Sequence, residues 1–392
     1  MGSRLMTGSA LLTVDSTPVG VMIDPGRQHA RSSEPADLRA AAQRHSNRIE
    51  GRPGAPVATC DGACFDCLVR ASHVSRMGAV MTISAGIGIG NFPFADGPGF
   101  WRWVDLCETG GIDSIWQSDR LVGREPNLEC MSVMAALAGA TRRMKFGMNV
   151  ASLGLRDPFL MAKQCATIDV LSGGRLLPAF AVGSALGSDY AARGVPTRGR
   201  GQRTNEGLEL IARLWREQEV DFDGRFYQYR GASISPRPIQ DPMPLWVGGS
   251  ADAAVERSAR WGTGWQAGLD TPEQIRPVIA AIKTRAAELG RHIDEDHFGA
   301  GFGFRFGGPG DPVSRGYLNT LEKRLGKDAL PFVAIGDAET VIERLRDYHA
   351  AGAHKFILRP MAADTEDMLD QTRQLIEHVL PAVDAMNRAA AA

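Results

Sequence analysis

The apolar positions along the chain fall into two regimes that part near residue 80. Residues 1 to about 76 mix Pro, Gly, Ser, Arg and His, as in RQHARSSEPADLRAAAQRHSNRIEGRPGAP, with no sustained apolar period. That pattern predicts a poorly ordered extension over 1–80. From Thr82 onward, short apolar runs alternate with amphipathic stretches. ISAGIGI (83–89), SIWQSD (114–119), MKFGMNV (144–150), RLLPAFAVG (175–183), PLWVGG (244–249), TGWQAG (263–268), HFGAGFGFRFG (297–307) and HKFILRP (354–360) read as strands. The nearly continuous apolar run 176–182 is what a parallel strand covered on both faces requires. Helical periods fill the gaps over 100–109, 128–140, 158–171, 203–217 and 252–260. Further helices open at the capping box Thr271–Gln274, at Asp337, and over 365–387. VDFDGRFYQYR (220–230) predicts a small hairpin insertion around Asp223-Gly224. The stretch 308–335 reads as irregular, with a short helix near 312–325.

Eight strands alternating with helices predict a (β/α)8 TIM barrel over 81–392. An open doubly wound sheet is the rival, and it calls for a phosphate fingerprint after the first strand. GIGIGN (86–91) has glycines but lacks the third one of that fingerprint. The stretch DVLSGGRLLPAFAVGS (169–184) holds a complete unit: a helix end, a Ser172-Gly173-Gly174 stop, a buried strand, and Gly183-Ser184 where the strand emerges. Ligands of α/β folds sit at that carboxyl end, whereas the Ser172–Arg175 turn falls at the opposite, stability end.

Composition changes this picture little. The chain has 392 residues, 44% hydrophobic and 23% charged, with a formal net charge of −1. No basic block argues for nucleic acid or an anionic membrane surface, and no window has the apolar length to span a bilayer. An early apolar run is broken at Asp15, so no signal-length core develops, and the expected location is cytoplasmic. Met77 and Met81 lie just before the first strand and are candidate starts. Of six cysteines, Cys107, Cys130 and Cys165 sit singly in helical patterns and read as buried thiols. Cys60, Cys64 and Cys67 have the spacing of a radical-SAM iron–sulfur triad. They precede the barrel instead of following its first strand, which favours chance cysteines and no metal.

RDPFLMAKQCATIDVLSGGRLLPAFAVGS (156–184) and LELIARLWREQEVDFDGRFYQYRGASISPRPIQDPMPLWVGGS (208–250), followed by GTGWQAG (262–268), resemble the luciferase-like flavin-dependent oxidoreductases, the bacterial luciferase superfamily. The resemblance runs from about Ile83 to Leu380. Thr263 stands where that family often has an acidic residue before Gly-Trp. The resemblance implies a barrel that binds FMN or the deazaflavin F420 at its carboxyl-terminal mouth, usually in a homodimer.

Candidate site residues follow strand by strand. Asp119 matches the family, and Arg120 replaces a common His; a permanent cation is no ordinary proton shuttle, but it binds anions. The alternative is an Asp–Arg pair that orients the loop. Asn149-Val150 stands where F420-type relatives carry a non-proline cis peptide behind the ring. Its plainer reading is Asn149 bonded to loop backbone. Gly183, Ser184, Gly187, Ser188 and Asp189 can approach a ribityl chain or phosphate. Gly248, Gly249 and Ser250 precede a helix and suggest a phosphate cradle, or a tight turn capped by Ser250. Arg305 and Arg359 read as structural ion-pair partners. Phe92, Phe94 and Trp116 are candidates for an apolar wall, with core packing the expectation for Trp116. His354 falls at the stability end.

The function implied is a two-component monooxygenase that takes reduced FMN from a separate flavin reductase and uses O2 on a small organic substrate. F420-dependent hydride transfer and a non-catalytic flavin-binding barrel are the alternatives. Loops 185–203 and 308–335 are expected to shape the substrate pocket.

Overall fold

The computed structural model describes residues 82–184 and 188–391. The expected extension, Cys60, Cys64, Cys67 and Gly187 lie outside them. Along the chain, β1 (Ser84–Ile89), helix α1 (Gly97–Thr109), β2 (Ser114–Gln117), α2 (Cys130–Ala140), β3 (Lys145–Met148), β4 (Ala151–Ser152), α3 (Pro158–Ser172), β5 (Leu176–Leu177) and β6 (Ala179–Ala181) build the first half. Then α4 (Ser188–Ala192), α5 (Arg200–Arg216), the hairpin β7 (Val220–Asp223) and β8 (Gln228–Ala232), β9 (Trp246–Gly248), α6 (Asp252–Trp261) and β10 (Gly264–Gln266) follow. The remainder is α7 (Pro272–Glu288), β11 (Phe298–Ala300), β12 (Gly303–Phe306), α8 (Pro312–Leu325), β13 (Val333–Gly336), α9 (Ala338–Ala350), β14 (Lys355–Pro360), α10 (Thr365–Gln374) and α11 (Leu380–Ala391).

The parallel strands close a ring. β1 lies between β14 and β2, and β2 pairs with β3. β3 pairs with β5, and its continuation β4 pairs with β6. β5 and β6 are two halves of one strand parted by Pro178, which has no N–H but whose carbonyl accepts from Trp246 N at 2.9 Å. The circuit returns through β9, β10 and β11 to β14. The expected barrel is therefore present, with the antiparallel hairpin β7–β8 outside it. The capping box at Thr271 and Gln274 forms, and Cys107, Cys130 and Cys165 are free and buried. Helices α1, α3, α8, α9 and α10 start on aspartates whose side chains accept the orphan backbone N–H groups of the first turn.

Two expectations need correction. The seventh strand is broken at Gly301-Phe302, and there Gly301 runs so close to β14 that a Cβ would lie 2.3 Å from the Ile357 carbonyl oxygen. Past the break, β12 joins β13, which lies in the stretch expected to be irregular. Four residues, Val333 to Gly336, are too few to display a period, so this strand has no sequence signature of its own.

Glycines determine how the barrel is filled. The Trp116 and Trp246 rings meet edge to face inside the ring at 6.3 Å and pack with Leu177, Ala179 and Ile357. A Cβ on Gly147 would lie 2.6 Å from the Trp116 ring, and one on Gly264 would lie 2.6 Å from the Trp246 ring. Trp116 Nε1 donates to Ser114 Oγ at 2.8 Å. Two indoles thus form a plug where smaller branched residues usually stack in layers.

At the amino-terminal end, Arg175 joins three elements. Its guanidinium donates to Ser172 O at 2.8 Å, Met144 O at 2.9 Å, and Ala138 O and Thr141 O at 3.0 Å, and it lies over the Phe146 ring. Gly173, at φ 70°, ends α3 in the left-handed conformation that turns the chain into this knot. Removing the donors in Arg175→Met leaves several helix-end carbonyls without partners, and should cost about 2–4 kcal/mol of stability. The urea midpoint should fall accordingly while ligand affinity at the opposite end stays unchanged; an unaltered midpoint would show that the knot carries no stability.

Candidate functional site

The carboxyl ends of the strands surround a cavity of about 1150 Å³. Its floor is the indole plug, on which Val150 packs. The peptide bond between Asn149 and Val150 is cis. The Val150 methyl groups sit against Gly248, where a Cβ would lie 3.1 Å from one of them. Asn149 N donates to Gln117 O at 2.8 Å, so its backbone continues the β2–β3 pairing.

Eight of the residues nominated from the sequence line this cavity: Asp119, Arg120, Asn149, Val150, Gly183, Gly248, Gly249 and Ser250. Ser184 and Ser188 do not. Asp189 ties two loops together by accepting from Val122 N at 2.8 Å. Trp116 is fully buried in the plug. Phe92 and Phe94 turn away from the cavity and pack against Phe100, with Phe94 also reaching Trp103. His354 is buried beside His349 at the amino-terminal end of β14, and burial together with that neighbour holds its pKa below the ordinary value.

Asp119 and Arg120 are neighbours in sequence but not partners. The Asp119 carboxylate accepts from Arg156 Nη2 at 2.6 Å and from Ser152 N at 2.9 Å, and its side chain is 3% exposed. Arg156 also pairs with Glu129 at 2.8 Å. Burial pushes the Cys130 thiol in this cluster far up, with the Asp119 charge adding to the effect. Arg120 is exposed, and its guanidinium donates to Asn91 Oδ1 at 3.4 Å. Its charge remains available to the cavity.

The turn after β9 forms a second feature. Gly249 has φ 110°, a conformation that favours glycine, and its carbonyl accepts from Trp265 Nε1 at 2.8 Å. The residue at the cap position of α6 is Ala251, not Ser250; no side chain caps the helix, because the Ser250 hydroxyl bonds to Asp270. The start of α6 lines the cavity through Ala251, Ala253 and Ala254, and a helix start carries partial positive charge.

Beside this turn lie two residues the sequence reading passed over, Arg200 and Arg257. Both line the cavity, and neither has an ion-pair partner among the described residues. Arg200 Nε is buried with no hydrogen-bond partner among the described residues. Burial and the like charge of Arg200 hold the Arg257 pKa below the ordinary guanidinium value. Two guanidiniums without a counter-charge beside a helix terminus are able to attract an anion. The available sequence signal was RGRGQR (198–203), a dense run of Arg and Gly that no periodic pattern explains.

Arg305 and Arg359 part company. Arg305 bridges Asp311, at 2.6 Å, and Asp367, at 2.9 Å, and so ties the start of α8 to α10. Arg359 has no ion-pair partner among the described residues and lines the cavity, with one donor to Gly301 O at 3.3 Å.

A family model described as luciferase-like monooxygenase matches residues 95–305, more than half of the chain. An uncharacterized protein of Mycobacterium tuberculosis is 36% identical over 168 residues, which are 43% of this chain and 57% of that protein. The F420-dependent glucose-6-phosphate dehydrogenase of Amycolatopsis mediterranei is 26% identical over 315 residues, 71% of this chain and 92% of the relative. The pyrimidine monooxygenase RutA of Escherichia coli is 31% identical over 203 residues, 48% of this chain and 49% of its own length. Among solved structures, the monooxygenase RslO1 from Streptomyces bottropensis superposes with a TM-score of 0.65 at 19% identity, covering 76% of this chain and 99% of its own.

The two acidic and basic neighbours should separate on substitution. Asp119→Asn removes a buried counter-charge and should lower stability by about 3 kcal/mol. Arg120→Met should leave stability within about 0.5 kcal/mol. Chemical denaturation measures both; equal losses would show that Arg120 is also part of the scaffold.

Proposed function

We infer that this chain, which belongs to the luciferase-like monooxygenase family, binds a flavin-type cofactor in the mouth cavity. It acts as a two-component monooxygenase that takes reduced FMN from a separate flavin reductase and uses O2 to oxygenate a small organic substrate. The observation that carries this reading concerns proton acceptors. The described residues lining the cavity include no imidazole, and their one carboxylate, Asp119, is committed to Arg156 and Ser152. Removing hydride from an alcohol also requires a base within hydrogen-bond reach of the hydroxyl. Bound reduced flavin supplies the oxygen-activating chemistry itself, and the protein's share is then binding, orientation and exclusion of water.

The residues present fit such a cofactor. Arg200, with its unpartnered Nε, Arg257 and the first N–H groups of α6 would hold the phosphate. Gly248 and Gly249 leave the backbone bare where a side chain would fill the approach. Val150, supported from below by the indole plug, would bear on one face of the ring system, and Ser118 lies along the same cavity wall. Arg120 would favour any negative charge that develops above the plug. A homodimer is part of the same proposal.

F420-dependent hydride transfer is the second reading. It is favoured by the number of cavity arginines, which exceeds what one phosphate needs, and by the relative that uses F420 and aligns over 92% of its length.

Titration of the cofactor-free chain with FMN, riboflavin and F420 separates the readings. FMN should bind more tightly than riboflavin, and Arg257→Met should weaken FMN by about tenfold while leaving riboflavin unchanged. With NADH and a flavin reductase, substrate should then drive oxygen uptake. Binding of F420 with no affinity for FMN would replace the monooxygenase by the second reading, and flavin binding without turnover would make the chain a binding protein.

A further inference from the structure

The cavity carries more positive charge than a cofactor phosphate accounts for, and the excess lies on the opposite side of the mouth. Arg120, Arg198, Arg200, Arg257, Arg324 and Arg359 line the cavity, and none forms an ion pair among the described residues. Elsewhere in the barrel, arginines such as Arg156 and Arg305 are paired with carboxylates. The chain as a whole has a net charge of −1, so the concentration of unpaired cations here is local.

Arg200 and Arg257 stand by the turn after β9. Arg359 stands on β14, which the ring places on the far side of the mouth, three strand positions from β9 through β10 and β11. The backbone makes room for it. A Cβ on Gly88 of β1 would lie 3.1 Å from Arg359 Cγ, so the aliphatic stem packs closely against the bare backbone at that glycine. The guanidinium then reaches toward Gly301 O and spends one donor there. Among the described residues, its side chain makes no other hydrogen bond.

Helix α8 brings further polar groups to the same side. Tyr317, Thr320, Leu321 and Arg324 recur at helical spacing and line the cavity. Gly303 pairs with Arg359 in the sheet, and a Cβ on Gly303 would lie 3.1 Å from Tyr317 Oη. Cross-strand partners project to the same face, so the Tyr317 hydroxyl and the Arg359 side chain share one side of the sheet. Arg305, bound to the capping aspartate of α8, fixes that helix over the strand ends.

We propose that Arg359 and Tyr317, with Arg324 at the rim, form an anion subsite for the substrate, and that the substrate therefore carries an oxyanion, a carboxylate or a sulfonate or phosphate group. The subsite rests on the cofactor reading above, in which the Arg200–Arg257 pole holds the cofactor phosphate and leaves the Arg359 pole to the substrate. A guanidinium presents paired donors that match such groups, and a half-buried one without a counter-charge gains most from them. Arg359 and Tyr317 would decide which substrates are held, in what orientation, above the plug.

Calorimetric titration of the full chain, loaded with whichever of FMN or F420 it binds, tests this with benzoate, benzenesulfonate and the uncharged benzamide as probes. At least one anion should bind about tenfold more tightly than benzamide. Arg359→Met should abolish that preference, Arg359→Lys should keep part of it, and Tyr317→Phe should weaken the anion about threefold. The FMN or F420 affinity of all three variants should stay within about twofold of wild type. A preference for benzoate or for benzenesulfonate identifies a planar or a tetrahedral group. Equal binding of anions and benzamide, anion binding that survives in Arg359→Met, or a parallel loss of cofactor affinity would each overturn the proposal. If neither cofactor binds, the cofactor reading fails; the subsite is then judged in cofactor-free Arg257→Met protein, where one pole is weakened and Arg359-dependent anion binding must remain.

Discussion

The indole plug is the contact on which the other features of the mouth depend. Trp116 from β2 and Trp246 from β9 meet across the barrel, and the glycines at 86, 147 and 264 exist where their rings or bonding partners need the volume. A side chain at any of these positions would have to displace a fully buried ring or a neighbouring backbone atom, which close-packed interiors tolerate poorly. The plug closes the barrel from below and supports Val150. The Asn149-Val150 peptide, which is cis, joins β3 to β4 above it; β3 pairs with β5 and β4 with β6.

Above that floor, charge is sorted by what pairs with it. Carboxylates near the mouth are spent on structure: Asp119 on Arg156 and the Ser152 N–H, Asp311 and Asp367 on Arg305, Asp270 on Ser250 and the Gly268 N–H. The Asp311 pKa is held far below the ordinary carboxylate value by the bonds it accepts from Ser314 and Arg305, against the opposing effect of burial. Arginines facing the cavity are left without such partners. The result is a cationic chamber with an apolar floor. Among the described residues, no helix is long and apolar enough to cross a membrane.

Much of this arrangement was legible in the sequence, and the exceptions share a cause. The strand and helix rhythm, the Ser172–Arg175 turn, the Thr271 capping box and the hairpin at 220–230 all rest on local periods or turn chemistry, which survive without tertiary information. Strand β13 escaped because four residues show no period. Ser250 reads as a helix cap from sequence, yet its hydroxyl goes to Asp270, twenty residues on. Asp119 and Arg120 suggest a pair by adjacency, but successive residues at a strand end point in different directions, and Asp119 meets Arg156 from the following βα connection. Arg305 and Arg359 looked alike at the ends of two strands; one found two carboxylates and the other a cavity.

By itself the sequence determined the class of fold, the order of its units, the end of the barrel at which the cavity opens, and the family to which the chain belongs. Those depend on hydrophobic period, helix stops and runs of matching residues, all of which are properties of neighbours along the chain. Only the tertiary structure decided which charges are neutralised and which face the mouth. Ion pairing depends on distances between groups dozens or hundreds of residues apart, and a difference of a few ångströms separates a structural arginine from one without a counter-charge. Arg200, Arg257 and Arg359 acquire their meaning that way, through the glycines that let chain and side chain pass, and through the carboxylates that were used elsewhere.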